Sequence, residues 1–313
     1  SSSVGGCMRD LIFSHISDID GMGSVVLLKL VNKDMHYELC ETFNVNDKFE
    51  EYYNSKDIYN YDRIYITDLC LDDEHLKIIQ NDKLLKDKVK IFDHHESVLQ
   101  FNTYDFVNIT IKDEKGYCCG TTLFYNYLLD NKIIESNSAI DKFCELTRRH
   151  DTWEWKKIYN DEMSRDLSLF FETVGTEKYI EVMYSKLKTE KEFKFNKVEE
   201  FLIENRKTKM MEKVLSYVEG IVYKKVFGLK AGIVFISYEY RNEVAQYLTD
   251  MKYDIDFVML IAIEHGTISY RSVRPGVNVR LVAEKMGGKG HDEAAGNNIS
   301  DVQNERILDI LLS

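Results

Sequence analysis

The segment HISDIDGMGS at residues 15–24 decides the fold, because it joins a predicted strand to a predicted helix. Leu11–Ser14 is a short apolar run typical of a buried strand, and a helix is predicted over Gly23–Val31. Between the two stand three side chains that can bind a metal: His15, Asp18 and Asp20. In an extended segment the two aspartates would share one face, whereas a tight turn would direct them to two neighbouring cations.

The same arrangement recurs after two further predicted strands, Arg63–Thr67 and Val89–Phe92. The first runs into Asp68, and the second runs into the sequence DHH at residues 93–95. In open α/β sheets, ligands bind beyond the carboxyl ends of the strands, and carboxylates gathered there repel one another unless cations neutralise them. The sequence therefore predicts a metal centre at this edge. Nitrogen and carboxylate ligands without thiolate suit Mn²⁺, with Mg²⁺, Zn²⁺ and Fe²⁺ as alternatives.

The alternation of strands and helices predicts an α/β fold with a mostly parallel sheet that carries helices on both faces. Helices are predicted over Gly120–Leu129 and Ala139–Arg149, and the second leads into HDTWEW at residues 150–155. The stretch 177–219 is rich in Lys and Glu, has apolar residues at helical spacing, and is predicted to be helical. A second, smaller α/β domain is expected after it.

The second domain has its own predicted elements. Its strands are expected over Ala231–Ser237, Asp256–Ile263 and Thr267–Ser272, and its helices over Asn242–Met251 and Val277–Met286. A glycine-rich turn, GGKGHDEAAG, follows at residues 287–296. The predicted boundaries are 8–190 for the first domain, 191–219 for a helical linker and 220–313 for the second domain. Met8 is interpreted as the natural first residue, so residues 1–7 are left out of the fold prediction.

The composition excludes several classes of function. The chain has 313 residues, a net charge of −12 and no apolar run long enough to cross a membrane. Binding to long nucleic acid is not expected, because that affinity comes from neutralising many phosphates. A short anionic substrate is compatible with this negative charge if a metal or a local basic pocket supplies positive charge. The six cysteines form no CxxC pair, so reduced thiols and a cytoplasmic location are expected.

Taken in order, HISDIDG, the aspartate after the second strand, DHH, Asp151 and GGKGHDEAAG resemble the DHH phosphoesterase superfamily with its DHHA1 substrate domain. The stretches SHISDIDGMGS, ITDL and HDTWEW resemble most closely the oligoribonuclease members of that superfamily. The chain departs from the usual pattern at two places. Only Ile16 and Ser17 separate the first histidine from its aspartate, and Lys289 interrupts a run that is usually all glycine.

The resemblance implies two Mn²⁺ ions side by side, with Mg²⁺ or other divalent ions as alternatives. The first ion would take His15 and Asp18, and Asp68 would bridge the two ions. The second ion would take three ligands: Asp20, His94 and Asp151.

The resemblance also implies which residues carry catalysis and substrate binding. Asp93 would orient its neighbours, and His95 would face the scissile phosphate beside Asp68 and His94. In the second domain, the glycine-rich turn and two arginines would contact the substrate: Arg271, Arg274, Gly287, Gly288, Lys289, Gly290 and His291. Glycines allow the backbone to approach a phosphate closely, and arginine binds phosphate oxygens bidentately.

The implied activity is hydrolysis of short RNA, of about two to five nucleotides, to nucleoside 5′-monophosphates. Two alternatives share the metal centre: a cyclic or linear dinucleotide phosphodiesterase and a 3′-phosphoadenosine 5′-phosphate phosphatase. A nucleotide-binding protein without turnover is the alternative from another class. The expected partner is a short oligonucleotide or small nucleotide, without long nucleic acid or membrane, and a homo-oligomer is compatible with the sequence.

Overall fold

The structure, a computed structural model, describes residues 7–313. The interpretation of the segment before Met8 therefore lies almost entirely outside the described residues. The chain divides into two compact units, Ser1–Arg206 and Lys207–Ser313. The division falls inside one long helix, and the domain boundaries expected from the sequence stay a prediction. No helix in the described part of the chain is both long and apolar enough to cross a bilayer.

The first unit is built on a five-stranded sheet in the order β2-β1-β3-β4-β5, in which every neighbouring pair is parallel. The strands are β1 (Asp10–His15), β2 (His36–Cys40), β3 (Arg63–Thr67), β4 (Val89–Asp93) and β5 (Val107–Ile109). A small hairpin follows, formed by β6 (Lys112–Asp113) and β7 (Gly116–Tyr117). Because all five strands of the sheet run in the same direction, their carboxyl ends meet at one edge.

Helices cover both faces of this sheet, as the sequence predicts. The helices of this unit are α1 (Ile19–Val31), α2 (Val45–Asn54), α3 (Asp73–Asn81), α4 (Lys83–Lys86), α5 (Gly120–Asp130), α6 (Ser138–Asp151), α7 (Glu154–Lys157), α8 (Glu162–Val174) and α9 (Thr176–Thr189). The long helix α10 (Lys197–Glu219) follows them and contains the division between the two units. Alternation along β1 divides the core: Ile12 packs into one hydrophobic cluster, whereas Leu11 and Phe13 pack into the other. Burial on both faces explains why the strand LIFS reads as a continuous apolar run.

The helix α1 begins earlier than the sequence predicts, at Ile19 rather than Gly23. Asp18 is its N-cap, and the side chain accepts a hydrogen bond from the N–H of Gly21 at 3.1 Å. Asp20 therefore lies in the first helical turn and Asp18 lies just before it. This local geometry corresponds to the tight-turn alternative, in which the two aspartates point to different partners.

The predicted helical stretch 177–219 is interrupted at residues 190–196, between α9 and α10. The chain leaves the helix there because Phe193 is buried in the core of the first unit. It then restarts with a reciprocal cap: the N–H of Asn196 donates to Glu199 Oε1 at 3.0 Å, and the N–H of Glu199 donates to Asn196 Oδ1 at 2.8 Å.

The second unit contains a six-stranded mixed sheet in the order β12-β13-β11-β10-β9-β8. Its strands are β8 (Val222–Val226), β9 (Leu229–Phe235), β10 (Phe257–Ala262), β11 (Thr267–Ser272), β12 (Lys289–Gly290) and β13 (Ala294–Asn298). Its helices after α10 are α11 (Arg241–Asp250), α12 (Val279–Lys285) and α13 (Asp301–Leu312). Only β9 and β10 pair in parallel, and the glycine-rich stretch supplies the antiparallel pair β12 and β13.

Candidate active site

The carboxyl edge of the five-stranded sheet brings together all six residues that the sequence analysis assigns to metal binding. Two sets of three have ligand atoms close enough to share a cation. The first set is His15, Asp18 and Asp68, and the second set is Asp20, His94 and Asp151. The same two sets follow from the family resemblance, with Asp68 lying between them. Their roles as metal ligands remain predictions.

His15 stands at the end of β1 and faces carboxylates with both ring nitrogens. Its Nδ1 lies 3.5 Å from Asp68 Oδ2 and 3.8 Å from Asp18 Oδ2. Its Nε2 lies 3.1 Å from Glu41 Oε2. Glu41 directly follows β2, so β2 places an acid at this edge, as β1, β3 and β4 also do. The sequence does not predict Glu41, because HYELC at residues 36–40 lacks the apolar run of a buried strand.

His94 is the centre of the second set. Its Nε2 lies 2.9 Å from Asp68 Oδ1 and 3.5 Å from both Asp20 Oδ2 and Asp151 Oδ2. Asp151 is the last residue of α6, so this helix carries its side chain to the ends of β1 and β3. One imidazole therefore joins acids from three separate parts of the chain.

Asp68 is held in an unusual conformation at the centre of the cluster. Its φ is 60°, in the left-handed region, and its side chain is 1% exposed. Few residues other than glycine adopt this region, and those that do cluster at active sites and ligand-binding sites. The atom Asp68 Oδ2 is buried without a hydrogen-bond partner in the described part of the protein. A buried carboxylate oxygen without a donor is what a bound cation would satisfy.

Asp20 is fixed by the start of α5. Its two carboxylate oxygens accept hydrogen bonds from the backbone N–H groups of Gly120 and Thr121, at 2.7 and 2.8 Å. Gly120 also lies close to the backbone of Asp68, and a Cβ atom there would meet it at about 3.0 Å. The N-terminus of α5 therefore positions two acids of the cluster at once.

The two histidines offset part of the negative charge of the cluster in the metal-free protein. The nearby carboxylates of Asp18 and Asp68 raise the pKa of His15 to about 11. Burial lowers the pKa of His94, but hydrogen bonds with Asp20 and Asp68 outweigh it and raise that pKa to about 12. Divalent cations would replace these protons, because a metal-bound histidine is neutral.

Burial and repulsion between carboxylates raise the pKa values of two acids in the cluster. Burial, followed by repulsion from Asp20, raises the pKa of Asp68 to about 7. Burial and the same neighbour raise the pKa of Asp151 well above its usual range. The donor set of carboxylates and imidazoles, the unpartnered oxygen and this excess of acid all fit a divalent metal.

Asp93 and His95 form a pair next to Asp68 and His94, and ligand atoms of these four residues lie within 4.8 Å of one another. Asp93 Oδ1 lies 2.7 Å from His95 Nδ1 and also accepts the backbone N–H of His94 at 2.8 Å. The Asp93 side chain is buried, whereas that of His95 is 52% exposed. Asp93 therefore fixes the ring orientation of His95 and leaves its outer edge accessible to a ligand.

The second unit contains a cavity of about 420 Å³ at the glycine-rich segment. Of the residues predicted to bind substrate, four line it: Arg271, Gly287, Gly288 and Lys289. Two residues that the sequence analysis did not identify, Tyr238 and Arg241, also line it. Neither stands in a motif of the resemblance, and no signal in the sequence distinguishes them.

The other predicted substrate residues lie elsewhere in the second unit. Arg274 pairs with Asp254 and with Asp256, whose Oδ1 is 2.9 Å from the guanidinium. His291 is exposed, and its backbone N–H donates to the carbonyl of Ala294 at 2.8 Å. A Cβ atom on Gly290 would collide with Ala295, so this glycine serves the close approach of β12 to β13.

Solved structures of other proteins align with this chain, and one of them shares its fold with a TM-score above 0.5. The pGpG-specific phosphodiesterase PggH from Vibrio cholerae aligns over 97% of both chains, with a TM-score of 0.53 and 14% sequence identity. An exopolyphosphatase-related protein from Bacteroides fragilis aligns over 98% of this chain and 91% of its own, with a TM-score of 0.43 and 14% identity. No protein-family model matches the sequence.

The resemblance seen in the sequence, to phosphoesterases of the DHH class, is confirmed by similarity to a named oligoribonuclease over most of the chain. The α/β fold with a second, mixed-sheet domain is likewise confirmed. Among named proteins, the chain is similar to oligoribonuclease NrnB of Bacillus subtilis (strain 168). The two are 27% identical over 293 residues, which are 93% of this chain and 73% of NrnB.

Proposed function

We propose that this protein is a Mn²⁺-dependent phosphodiesterase that hydrolyses RNA of about two to five nucleotides to nucleoside 5′-monophosphates. The observation that carries the proposal is the convergence of two ligand sets on Asp68, at the carboxyl edge of the parallel sheet. The similarity to NrnB, whose name describes an oligoribonuclease, supports the choice of substrate.

We assign two metal ions to the cluster, with Asp68 between them. His15 and Asp18 would hold one ion, and the other would take three ligands: Asp20, His94 and Asp151. When bound, such ions lower the pKa of a water molecule and offset negative charge on the phosphate. The N–H groups that fix Asp20 keep this ligand in place before the substrate arrives.

The chain's own residues bind and orient the phosphate. His95 presents its exposed ring edge to the scissile phosphate, and Asp93 prevents the ring from turning. A ring held in one orientation contacts the phosphate without a further loss of rotamer freedom on binding. In the second unit, Arg271 and Lys289 line a cavity that suits an anionic ligand.

A preference for short substrates follows from the charge of the protein. The net charge is −12, so a long polyanion would be repelled wherever it extended beyond a basic pocket. A substrate of a few nucleotides carries few phosphates outside such a pocket.

A linear dinucleotide is the second candidate substrate, and PggH, which shares the fold, is described as specific for pGpG. A cyclic dinucleotide and 3′-phosphoadenosine 5′-phosphate are further candidates for the same centre. A nucleotide-binding protein without turnover remains the alternative from another class. The complete set of six ligand residues favours catalysis over this last alternative.

A turnover panel with Mn²⁺ tests the proposal. The substrates are short RNA and DNA oligomers, a long RNA, pApA, cyclic-di-AMP and 3′-phosphoadenosine 5′-phosphate. The expected result is the highest kcat/KM for RNA of a few nucleotides and little turnover without metal. Equal rates for the long RNA and a trimer would contradict the length preference. A preference for any other member of the panel would replace RNA as the substrate.

A further inference from the structure

The cavity in the second unit concentrates positive charge in an acidic protein. Three cationic side chains line it: Arg241, Arg271 and Lys289. Among the described residues, its lining includes no carboxylate. Its volume of about 420 Å³ lies within the range of small-molecule sites.

The two arginines of this cavity have no acidic partner within residues 7–313. Arg271 donates from Nη2 to Asn242 Oδ1 at 3.2 Å, and Arg241 donates from Nη1 to the carbonyl of Tyr238 at 3.3 Å. Burial and the positive charge of Arg241 lower the pKa of Arg271. Two guanidinium groups that repel each other without a counter-ion leave a strong attraction for an anion.

Arg241 is held in place by a column of stacked groups. The rings of Tyr238 and His265 stack with their centroids 3.6 Å apart and an interplanar angle of 9°. The guanidinium carbon of Arg241 lies 3.6 Å from the centroid of the Tyr238 ring. The backbone N–H of Tyr238 donates to the side-chain oxygen Oε1 of Glu264 at 2.7 Å, which fixes the backbone that carries the Tyr238 ring. Arg241 is therefore oriented before a ligand binds.

Phosphate is the anion that this geometry favours. A guanidinium presents parallel N–H donors that match two phosphate oxygens. A phosphodiester carries one negative charge, whereas a terminal phosphate monoester carries about −1.5 to −2 near pH 7. Two unpaired guanidinium groups can neutralise both negative charges of a monoester. A diester carries only one negative charge, so it leaves one guanidinium without a counter-charge.

We propose that Arg241 is a substrate-binding residue, which together with Arg271 binds the terminal phosphate monoester of a nucleotide. The inference rests on the proposed function in taking a nucleotide as the ligand. It adds a specificity for phosphorylated ends that the metal cluster alone does not explain.

Equilibrium binding to the full chain in EDTA tests this, because the metal cluster then contributes no cation. The probes are 5′-AMP, 3′-AMP and adenosine. We expect one of the monophosphates to bind about tenfold more tightly than adenosine, and the better one identifies the end that is recognised. Arg241→Gln should reduce this preference by about fivefold or more. Arg241→Lys should give an intermediate value, because lysine keeps the charge but lacks the planar fork.

The matched control is Arg280→Gln, which removes one positive charge from the same unit. Arg280 pairs with Glu284 and Asp292 on the surface, and we expect this variant to keep the wild-type preference. Equal binding of adenosine and both monophosphates by the wild type would overturn the inference. An unchanged preference in Arg241→Gln, with an unfolding midpoint equal to wild type, would do the same.

Turnover of short RNA is measured separately, so that the two proposals fail independently. Phosphate preference without hydrolysis would overturn the proposed function and leave the role of Arg241 intact. Hydrolysis without any phosphate preference would overturn the role of Arg241 and leave the proposed function intact.

Discussion

His94 Nε2 lies 2.9 Å from Asp68 Oδ1, although 26 residues separate them in the sequence. The pair forms because β3 and β4 are parallel neighbours, so residues that follow each strand meet at one edge. In the metal-free protein, His94 carries a proton that a bound metal would displace. The cluster therefore gathers more carboxylates than histidines, and a divalent cation would offset the excess negative charge.

Asp68→Asn should abolish hydrolysis and should raise the unfolding temperature of the metal-free protein. Hydrolysis should fall by about 100-fold or more, because the variant loses the ligand that we propose to bridge the two ions. In EDTA near pH 7, the variant should unfold at a higher temperature than wild type. The pKa of Asp68 is raised to about 7, so folding disfavours its ionised form, and a neutral amide removes that cost. Differential scanning calorimetry in EDTA and a Mn²⁺-dependent assay measure the two effects.

Asp10→Asn is the matched control at the opposite end of the same sheet. The buried carboxylate of Asp10 receives Arg63 Nε at 2.6 Å and Nη2 at 2.8 Å. Its loss should lower the unfolding temperature by several degrees and leave Mn²⁺ affinity unchanged. If Asp68→Asn also lowered the metal-free unfolding temperature, the account of excess buried charge would be wrong.

Glu41→Gln should weaken Mn²⁺ binding by about tenfold or more without unfolding the protein. Glu41 accepts from His15 Nε2, which orients the ring and makes it a stronger ligand. Isothermal titration with Mn²⁺ measures this effect independently of turnover. The control is Glu38→Gln on the same strand, where the carboxylate accepts a hydrogen bond from the hydroxyl of Tyr52 at 2.7 Å. Equal Mn²⁺ affinities in both variants would remove Glu41 from the site.

Gly21→Ala should destabilise the protein by about 3 kcal/mol or more. A Cβ atom on Gly21 would collide with the carbonyl oxygen of His15, and backbone cannot move aside as a flexible side chain can. Urea denaturation measures the free energy of unfolding. In Gly220→Ala the new atom meets nothing nearer than 3.5 Å, so its stability should stay close to wild type. A stable Gly21→Ala variant with intact Mn²⁺ binding would contradict this close contact.

His75→Gln should destabilise the protein more near pH 6 than near pH 9. Burial lowers the pKa of His75, but hydrogen bonds with Asp72 and Glu50, at 2.5 and 2.7 Å, raise it overall. A raised histidine pKa stabilises the fold below the unfolded value of about 6.5, and this contribution is lost as the pH rises through the folded value. Urea titrations in EDTA at both pH values measure it. Glu50→Gln should reduce the pH dependence, and a constant effect of His75→Gln would refute it.

The sequence predicts the central strands well, because they are buried on both faces. Arg63–Thr67 and Thr267–Ser272 have the predicted bounds. The strands that it misses lie at or near sheet edges, where burial on one or neither face leaves no apolar run. In β2 one residue of five is buried, and none is buried in β8. Propensity alone does not identify such strands, since pairing with a neighbour decides them.

The cluster in the first unit is predictable because parallel strands bring motif residues to one edge. All six assigned residues meet there, and the sets that they form match the family resemblance. Glu41 is not predicted, because the strand before it, β2, is not predicted either. The cavity of the second unit depends instead on how a loop, a helix and a sheet pack together. The stacked column of Tyr238, Arg241 and His265 corresponds to no periodic pattern in the sequence that could predict it.

The two hydrogen bonds from Gly120 and Thr121 to Asp20 span about a hundred residues of chain. Asp151, another member of the cluster, follows only after α6 is complete. During synthesis the earliest ligands therefore leave the ribosome long before their partners exist. A nascent chain that stops short of α6 lacks Asp151 and cannot complete the cluster, so we expect the proposed metal binding and hydrolysis to arise only after α6 has been made.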